Sequence, residues 1–294
     1  MKKIFLIFLS LYCLNVYSVT FSESPCTLNG DQQITNLTGI DIFGDGSVNI
    51  CDFEASQIQL KIYKIAVCTS SPVFTNVADP DLSSCSNIYD NTSGADVTVS
   101  KSSGFNLDNL TKPNSGSYPY VLFLMSNIIK IKAVAHFDGN REAKTGSQGN
   151  YCWTNGSTIY PMDPDEDTLL EGTGLECGNA IDQSSYTFNN IEWRGLLFTD
   201  DYSSQDEAAP NGTLLAYFLD ENLRTVLRPN RANTARWASV YEPNTPISIT
   251  ENTSALKMSI DVTTGAGVRF DPTDDDKLKW IEDAPFGYNL DPVN

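Results

Sequence analysis

The sequence is poor in several residues on which common protein functions depend. Among 294 residues there is one histidine, His136, so a Ser-His-Asp or Cys-His catalytic arrangement would have to be built on it. The GxSxG motif and the glycine-rich phosphate-binding motifs are absent. These absences predict that the protein is not an enzyme, and a pair of carboxylates acting on a glycoside is the catalytic alternative that stays open.

Basic residues are also scarce. Lysine and arginine number 19 against 37 acidic residues, which gives a formal net charge of −18. Because neutralising phosphates requires clustered lysine and arginine, this balance excludes nucleic acid as a partner. The acidity instead favours solubility or the binding of cations.

Long hydrophobic runs are missing except at the start of the chain. The apolar run from Ile4 to Leu14 follows Lys2 and Lys3, and Val16 and Ser18 stand where a cleavage site has small residues. We therefore expect residues 1–18 to be a signal peptide that directs the protein, through the Sec route, to the periplasm, the cell surface or the medium. The next most apolar stretch, residues 120–137, contains two lysines and predicts a strand, so no membrane span is expected after signal removal.

Six cysteines remain after removal of the signal peptide, and an even number in an exported chain predicts disulfides. Six cysteines allow 15 pairings. The order along the chain favours neighbouring partners, because each such pair brackets a polar loop: Cys26 with Cys51, Cys68 with Cys85, and Cys152 with Cys177. The alternative, a zinc site, lacks any CxxC pair.

Alternating polar and apolar residues recur along the chain and indicate strands. In residues 57–68, Ile58, Leu60 and Ile62 alternate with polar side chains, and residues 120–137 predict a central strand that becomes half exposed near its end. Thr213–Leu219 and Leu223–Leu227 predict a hairpin. We expect an all-β fold, a disulfide-stapled antiparallel β-sandwich over residues 19–294, with a loop-rich insertion at about 137–210. A division into two domains near residue 140 is the alternative.

The stretch DIFGDGSVNICD, residues 41–52, has oxygen-bearing residues at the spacing of a calcium loop. In that spacing Gly46 makes the sharp turn and the ligands are Asp41, Asp45, Ser47, Asn49 and Asp52. The stretch resembles the EF-hand loop of dockerin modules, and the resemblance implies a calcium ion as the one possible cofactor. The alternative is a polar loop before a strand, which Phe43 at the third position and Cys51 inside the loop favour. Acidic runs at 163–167, 200–207 and 271–276 compete for the same ion.

The sequence as a whole predicts a secreted or cell-surface protein with a structural or adhesive role and no catalysis. Such a domain could form filaments through strand addition at an exposed sheet edge, or bind a surface partner. The alternative is an extracellular or periplasmic binding module for carbohydrate or calcium. Four tryptophans could serve as platforms for a sugar, although in a sandwich such residues more often belong to the core.

Overall fold

The protein is a β-sandwich whose long strands follow the alternation of its sequence. The structure, a computed structural model, describes residues 25–36, 40–41, 49–100, 110–160, 174–194, 205–209, 212–271, 274–284 and 287–293. In β5 (Gln57–Cys68), Ile58, Leu60 and Ile62 are buried while the residues between them are partly exposed. The expected period of two is confirmed, because successive side chains of a strand point to opposite faces.

The first large sheet has nine strands within the described residues. They are β1 (Thr27–Leu28), β2 (Ile34–Asn36), β3 (Ile40–Asp41), β4 (Asn49–Phe53), β10 (Val134–Ala143), β11 (Gln148–Trp153), β13 (Glu176–Gly178), β20 (Ala266–Asp271) and β21 (Asp274–Asp283). Strand β10 pairs with β11 along one edge and, in parallel, with β2 and β21 on the other. Beyond β21 the sheet continues through β20, β4 and β3.

The second large sheet is also nine-stranded within the described residues. Besides β5, it contains β6 (Cys85–Val99), β8 (Tyr120–Ser126), β9 (Ile128–Lys132), β12 (Thr158–Ile159), β14 (Asn189–Glu192), β15 (Gln205–Ala209), β16 (Gly212–Leu219) and β17 (Arg236–Pro243). Strand β6 pairs with β5, and β8 and β9 both pair with β5 as well. Because a strand has two edges, β8 and β9 lie end to end along the edge opposite β6. From β8 the sheet continues through β17, β16 and β15, and from β9 through β14 and β12.

Two small antiparallel sheets and a 3-10 turn complete the described structure. Strand β7 (Gly116–Tyr118) pairs with β18 (Ile247–Ile249), and β19 (Ala255–Asp261) pairs with β22 (Gly287–Val293). The 3-10 turn is Arg228–Asn233, with a proline in its first turn. No helix among the described residues is long and apolar enough to cross a membrane.

Side chains from both large sheets form one hydrophobic core. Leu60 and Phe123 of the second sheet belong to the same buried cluster as Phe137, Val268 and Ile281 of the first. This packing is what joins the two sheets into a sandwich. The predicted all-β sandwich is thus confirmed.

The chain passes from one sheet to the other at Ala133. Tyr120–Met125 and Ile128–Lys132 form the expected central strand beside β5, interrupted at Asn127. The continuation, which the alternation predicts to be the same strand, is instead β10 of the first sheet. The alternation persists through the crossing because Ala133 and Ala135 are both buried.

The hairpin expected at 213–227 has a different second arm. Residues 223–227 are not a strand: the chain turns tightly, Leu223 has a φ of 63°, and a single bridge links Leu219 with Thr225. Strand β16 pairs instead with β17, which returns after the 3-10 turn. A tight turn at residues 220–222 therefore does not start the partner strand.

The segment 137–210 supplies strands to both sheets. Its described part includes β11 and β13 in the first sheet and β12, β14 and β15 in the second. These strands pair with strands from outside the segment, for example β14 with β9 and β15 with β16.

One half of the outer face of the second sheet is covered by a loop between β5 and β6. Phe74 in this loop is buried against Leu122, Leu124 and Tyr217, and its ring centroid is 4.9 Å from that of Tyr217. Backbone and side-chain bonds fasten the loop further, since the Thr225 amide donates to the Thr75 carbonyl at 3.0 Å. The other half of this face carries polar side chains.

Candidate functional site

The structure contains the three disulfides that the order of the cysteines favours. Cys26 bonds to Cys51, Cys68 to Cys85, and Cys152 to Cys177. The last two link directly opposed residues on paired strands, and Cys68–Cys85 closes the base of the loop that carries Phe74. The first joins the chain before β1 to β4, where the Cys26 amide also donates to the Asp52 carbonyl at 2.7 Å. All six cysteines are therefore structural.

The calcium-like stretch 41–52 begins in β3 and ends in β4. Strands rather than helices flank it, and the backbones of Asp41 and Asn49 are paired across the two strands. Asp52 is buried, with 5% of its surface exposed. Asp45 and Ser47 lie outside the described residues, as do the side chains of Asp41 and Asn49. Calcium binding by this stretch stays a prediction.

Other metal sites were expected only in acidic runs. Residues 163–167 lie outside the described part of the chain, and so do the side chains of the described residues in the runs 200–207 and 271–276. Elsewhere in the described part, no three His, Cys, Asp or Glu side chains converge in the manner of a metal site.

His136 is packed into the surface of the first sheet. Its ring stacks on that of Tyr151 with centroids 4.1 Å apart and 5° between the planes. Its Nε2 lies 3.2 Å from the Gln33 side-chain nitrogen and 3.5 Å from that of Asn150. Two amides and a phenol ring thus surround the imidazole.

The tryptophans are mostly core residues. Trp153, Trp237 and Trp280 are buried, and Trp193 packs against Trp237 with ring centroids 5.6 Å apart. The Trp153 indole nitrogen donates to the Ser185 hydroxyl at 2.9 Å, as expected for a packing role beside the Cys152 disulfide. These three rings cannot offer a stacking surface to a sugar.

A buried ion pair links β20 and β21 in the first sheet. Arg269 Nε donates to Glu282 Oε1 at 2.6 Å, and Trp280 Nε1 donates to Glu282 Oε2 at 2.8 Å. Both charged residues are 2% exposed. Next to them, Trp193 Nε1 donates to Asp283 at 3.1 Å. Both carboxylates are thus engaged in bonds that hold strands and loops together.

Asn189 forms the second buried polar centre. Its Oδ1 accepts hydrogen bonds from the amides of Asn155, Gly156 and Ser157, each 3.1 Å long. Its Nδ2 donates to the carbonyls of Gly174 at 2.7 Å and Ile281 at 3.1 Å. One fully buried side chain of the second sheet therefore holds a turn, the segment before β13 and the last part of β21.

The polar half of the outer face of the second sheet collects basic and amide side chains. We call the following residues the basic face: Gln57, Gln59, Lys61, Lys130, Lys132 and Asn190. Gln59 lies opposite Lys130, Lys130 lies opposite Asn190, and Gln57 lies opposite Lys132. Directly opposed residues share a face of the sheet, so this register places the six side chains together. Lys130 is exposed and the other five are partly exposed.

Rings lie beside two of these lysines. Lys61 Nζ is 5.8 Å from the centroid of Tyr63, and Lys132 Nζ is 4.2 Å from that of Tyr186. The Tyr186 hydroxyl donates to Ser56 Oγ at 2.9 Å, and burial raises the pKa of Tyr186. The ring contacts fix the positions of the two ammonium groups without neutralising them.

Salt bridges elsewhere on this sheet contrast with the basic face. Lys64 pairs with Asp90 at 2.6 Å, and Arg194 pairs with Glu192 at 2.8 Å. Among the described residues, no carboxylate forms a salt bridge with Lys61, Lys130 or Lys132, although Asp96 lies opposite Lys61 on β6. Three lysines without a salt bridge to a described carboxylate thus share one surface of a strongly acidic chain, with Asp96 on the same face beside Lys61.

The alternation of β5 and β9 already marks Lys61, Lys130 and Lys132 as outward-facing. What sequence reasoning missed is that the two strands pair, because register between distant strands is set by tertiary packing.

Comparison with known proteins gives no match: no family model, no curated protein and no solved structure matches this chain.

Proposed function

We propose that this chain is a secreted or cell-surface protein with a structural or adhesive role, which acts by binding rather than by catalysis. The observation that carries the proposal is a sandwich stapled by three disulfides and displaying a polar surface with three lysines, the basic face. Disulfides persist in oxidising compartments, and a rigid sheet presents side chains at fixed spacing.

The buried polar groups support a binding role over catalysis. The Glu282 and Asp283 carboxylates and the Asn189 amide are held in bonds within the fold. A group that bonds its own chain in this manner stabilises the fold.

One edge strand of the second sheet, β6, is poorly suited to filament formation by strand addition. Strand β6 pairs with β5 along one edge, and its pairing is interrupted by the four residues 91–94. In this bulge the Ser93 amide donates to Asn91 Oδ1 at 3.0 Å, and Gly94 has a φ of 72°. Bulges of this kind oppose the addition of a further strand at a sheet edge. We therefore expect the purified protein not to add strands at β6.

The test is the location and oxidation state of the native protein. Intact cells are treated with a protease and with a thiol-reactive reagent, and a cytosolic protein serves as the control. We expect the protein to be cleaved on intact cells or recovered outside them, and to label with thiol reagents only after reduction. A protease-resistant cytosolic protein with free thiols would overturn the proposal.

The second candidate function is a binding module for calcium, favoured by the spacing of residues 41–52. Both ends of this stretch are fixed, by the pairing of β3 with β4 and by the Cys26–Cys51 disulfide. A loop fixed at both ends loses less entropy when it closes on an ion.

A further inference from the structure

The charge of the basic face is opposite to that of the whole chain. The protein has a net charge of −18, yet Lys61, Lys130 and Lys132 lie on two adjacent strands with no salt bridge to any described carboxylate. Lys130 and Lys132 are two residues apart on one strand, so their Cα atoms are separated by about 7 Å. Like charges held this close repel one another and would be stabilised by an anionic ligand.

The chemistry around the lysines indicates what kind of anion fits. Gln57, Gln59 and Asn190 have amide groups that donate to and accept from hydroxyls. The six residues of the basic face include no apolar side chain, although the rings of Tyr63 and Tyr186 lie beside two of its lysines. Lysine is depleted at protein–protein interfaces. A hydroxyl-rich polymer therefore suits this surface better than a second protein does.

We propose that the basic face binds an anionic polysaccharide. The ammonium groups of Lys61, Lys130 and Lys132 pair with carboxylates or sulfates of the polymer, and the amides of Gln57 and Gln59 bond to its hydroxyls. A sheet surface of this kind contacts several sugar units of a chain at once, so weak contacts add up along the polymer. This inference rests on the proposed extracellular adhesive role and names its partner class.

The experiment measures the binding of the oxidised protein to immobilised polymers. Polygalacturonate carries carboxylates, dextran sulfate carries sulfates, and unmodified dextran is the neutral control. We expect binding to at least one of the charged polymers and none to neutral dextran. With three cations engaged, raising the salt from 50 to 200 mM should weaken binding on the order of 20-fold, by analogy with other polyanions.

Two triple variants of equal charge identify the surface. In the first, Lys61, Lys130 and Lys132 are changed to Gln; in the second, Lys112, Lys144 and Lys279 are changed to Gln. We expect the first variant to bind at least tenfold more weakly and the second to stay within twofold of the parent protein. Circular dichroism and thermal unfolding establish that both are folded. Equal losses in the two variants, or no binding to either charged polymer, would overturn the inference.

Self-association, binding of single-stranded DNA and the location of the protein also test the inference that the basic face binds an anionic polysaccharide. If the parent protein self-associates without polymer and the Lys61 variant does not, the basic face binds a second copy of the chain. If single-stranded DNA binds as tightly with the same lysine dependence, the polysaccharide assignment is wrong. Failure of polymer binding by a protein that is accessible on intact cells refutes this inference alone, whereas a cytosolic location refutes the proposed function as well.

Discussion

Changing Asn189 to Asp tests whether one side chain holds three parts of the sandwich together. The substitution keeps the shape of the residue and the oxygen that accepts from the amides of residues 155–157. It replaces the amide nitrogen with an oxygen, which then faces the carbonyls of Gly174 and Ile281. Both carbonyls lose their donor at a fully buried position.

The magnitude follows from these two carbonyls. A buried polar group left without its hydrogen bond costs about 1–3 kcal/mol, so Asn189→Asp should lower the free energy of unfolding by about 2–6 kcal/mol. Asn189→Ala removes the acceptor of three amides as well as the donor to both carbonyls, but places no charge in the core. For a chain of this size, 1 kcal/mol corresponds to roughly 2–4 °C in melting temperature, so Asn189→Asp should melt at least about 4 °C lower.

The matched control is Asn190→Asp. Asn190 is the next residue of β14 and points to the opposite, partly exposed face, so the same chemical change should cost less than about 0.5 kcal/mol. Guanidinium unfolding of the oxidised proteins, followed by tryptophan fluorescence, gives both values at neutral pH. Equal unfolding midpoints for the two variants would refute the assignment of Asn189 as a structural centre.

Three further predictions concern charge and ligands. Glu282→Gln leaves the buried Arg269 guanidinium without its counter-charge and should lower the free energy of unfolding by about 3–5 kcal/mol. The double variant Arg269→Met/Glu282→Leu should lose less stability in the same chemical denaturation. A double variant that is less stable than Glu282→Gln would contradict this. If the 41–52 stretch binds calcium, millimolar calcium should raise the melting temperature by a few degrees over a chelator control. Asp41→Ala and Asp45→Ala together should abolish this shift. A shift that survives both substitutions points to another acidic run. Burial raises the pKa of Tyr186, so the contribution of this residue to stability is complete below pH 10 and is lost as the pH rises through the folded pKa. Tyr186→Phe should therefore make the loss of stability at alkaline pH shallower. Identical profiles of stability against pH for the two proteins would argue against this role of Tyr186.

Local pattern predicted the strands, and long-range register did not follow from it. The alternation in residues 57–68 and 120–132 reports burial on one face, which is a local property. The passage of the chain from one sheet to the other at Ala133 cannot be read from the sequence, because a strand of either sheet would bury this alanine. Leu223–Leu227 is apolar enough for a strand, yet its start at a positive φ directs the chain into a turn.

The candidate site was predictable to a similar extent. The cysteine pairs followed from their order along the chain, because neighbours that bracket a loop meet most readily. Nothing in the sequence distinguishes Asn189 from Asn190, since only the tertiary structure decides which of the two faces inward. Likewise, Lys61 joins Lys130 and Lys132 only through the pairing of β5 with β9.

The disulfides also limit how far the molecule can be stretched. Their three loops follow one another along the chain, and none encloses another. The bonded pairs are 25, 17 and 25 residues apart, which at about 3.5 Å per residue amounts to roughly 230 Å of contour length. Tension at the two ends of an unravelled oxidised chain cannot release this length. Under load, the oxidised chain would therefore remain shorter and stiffer than the reduced chain.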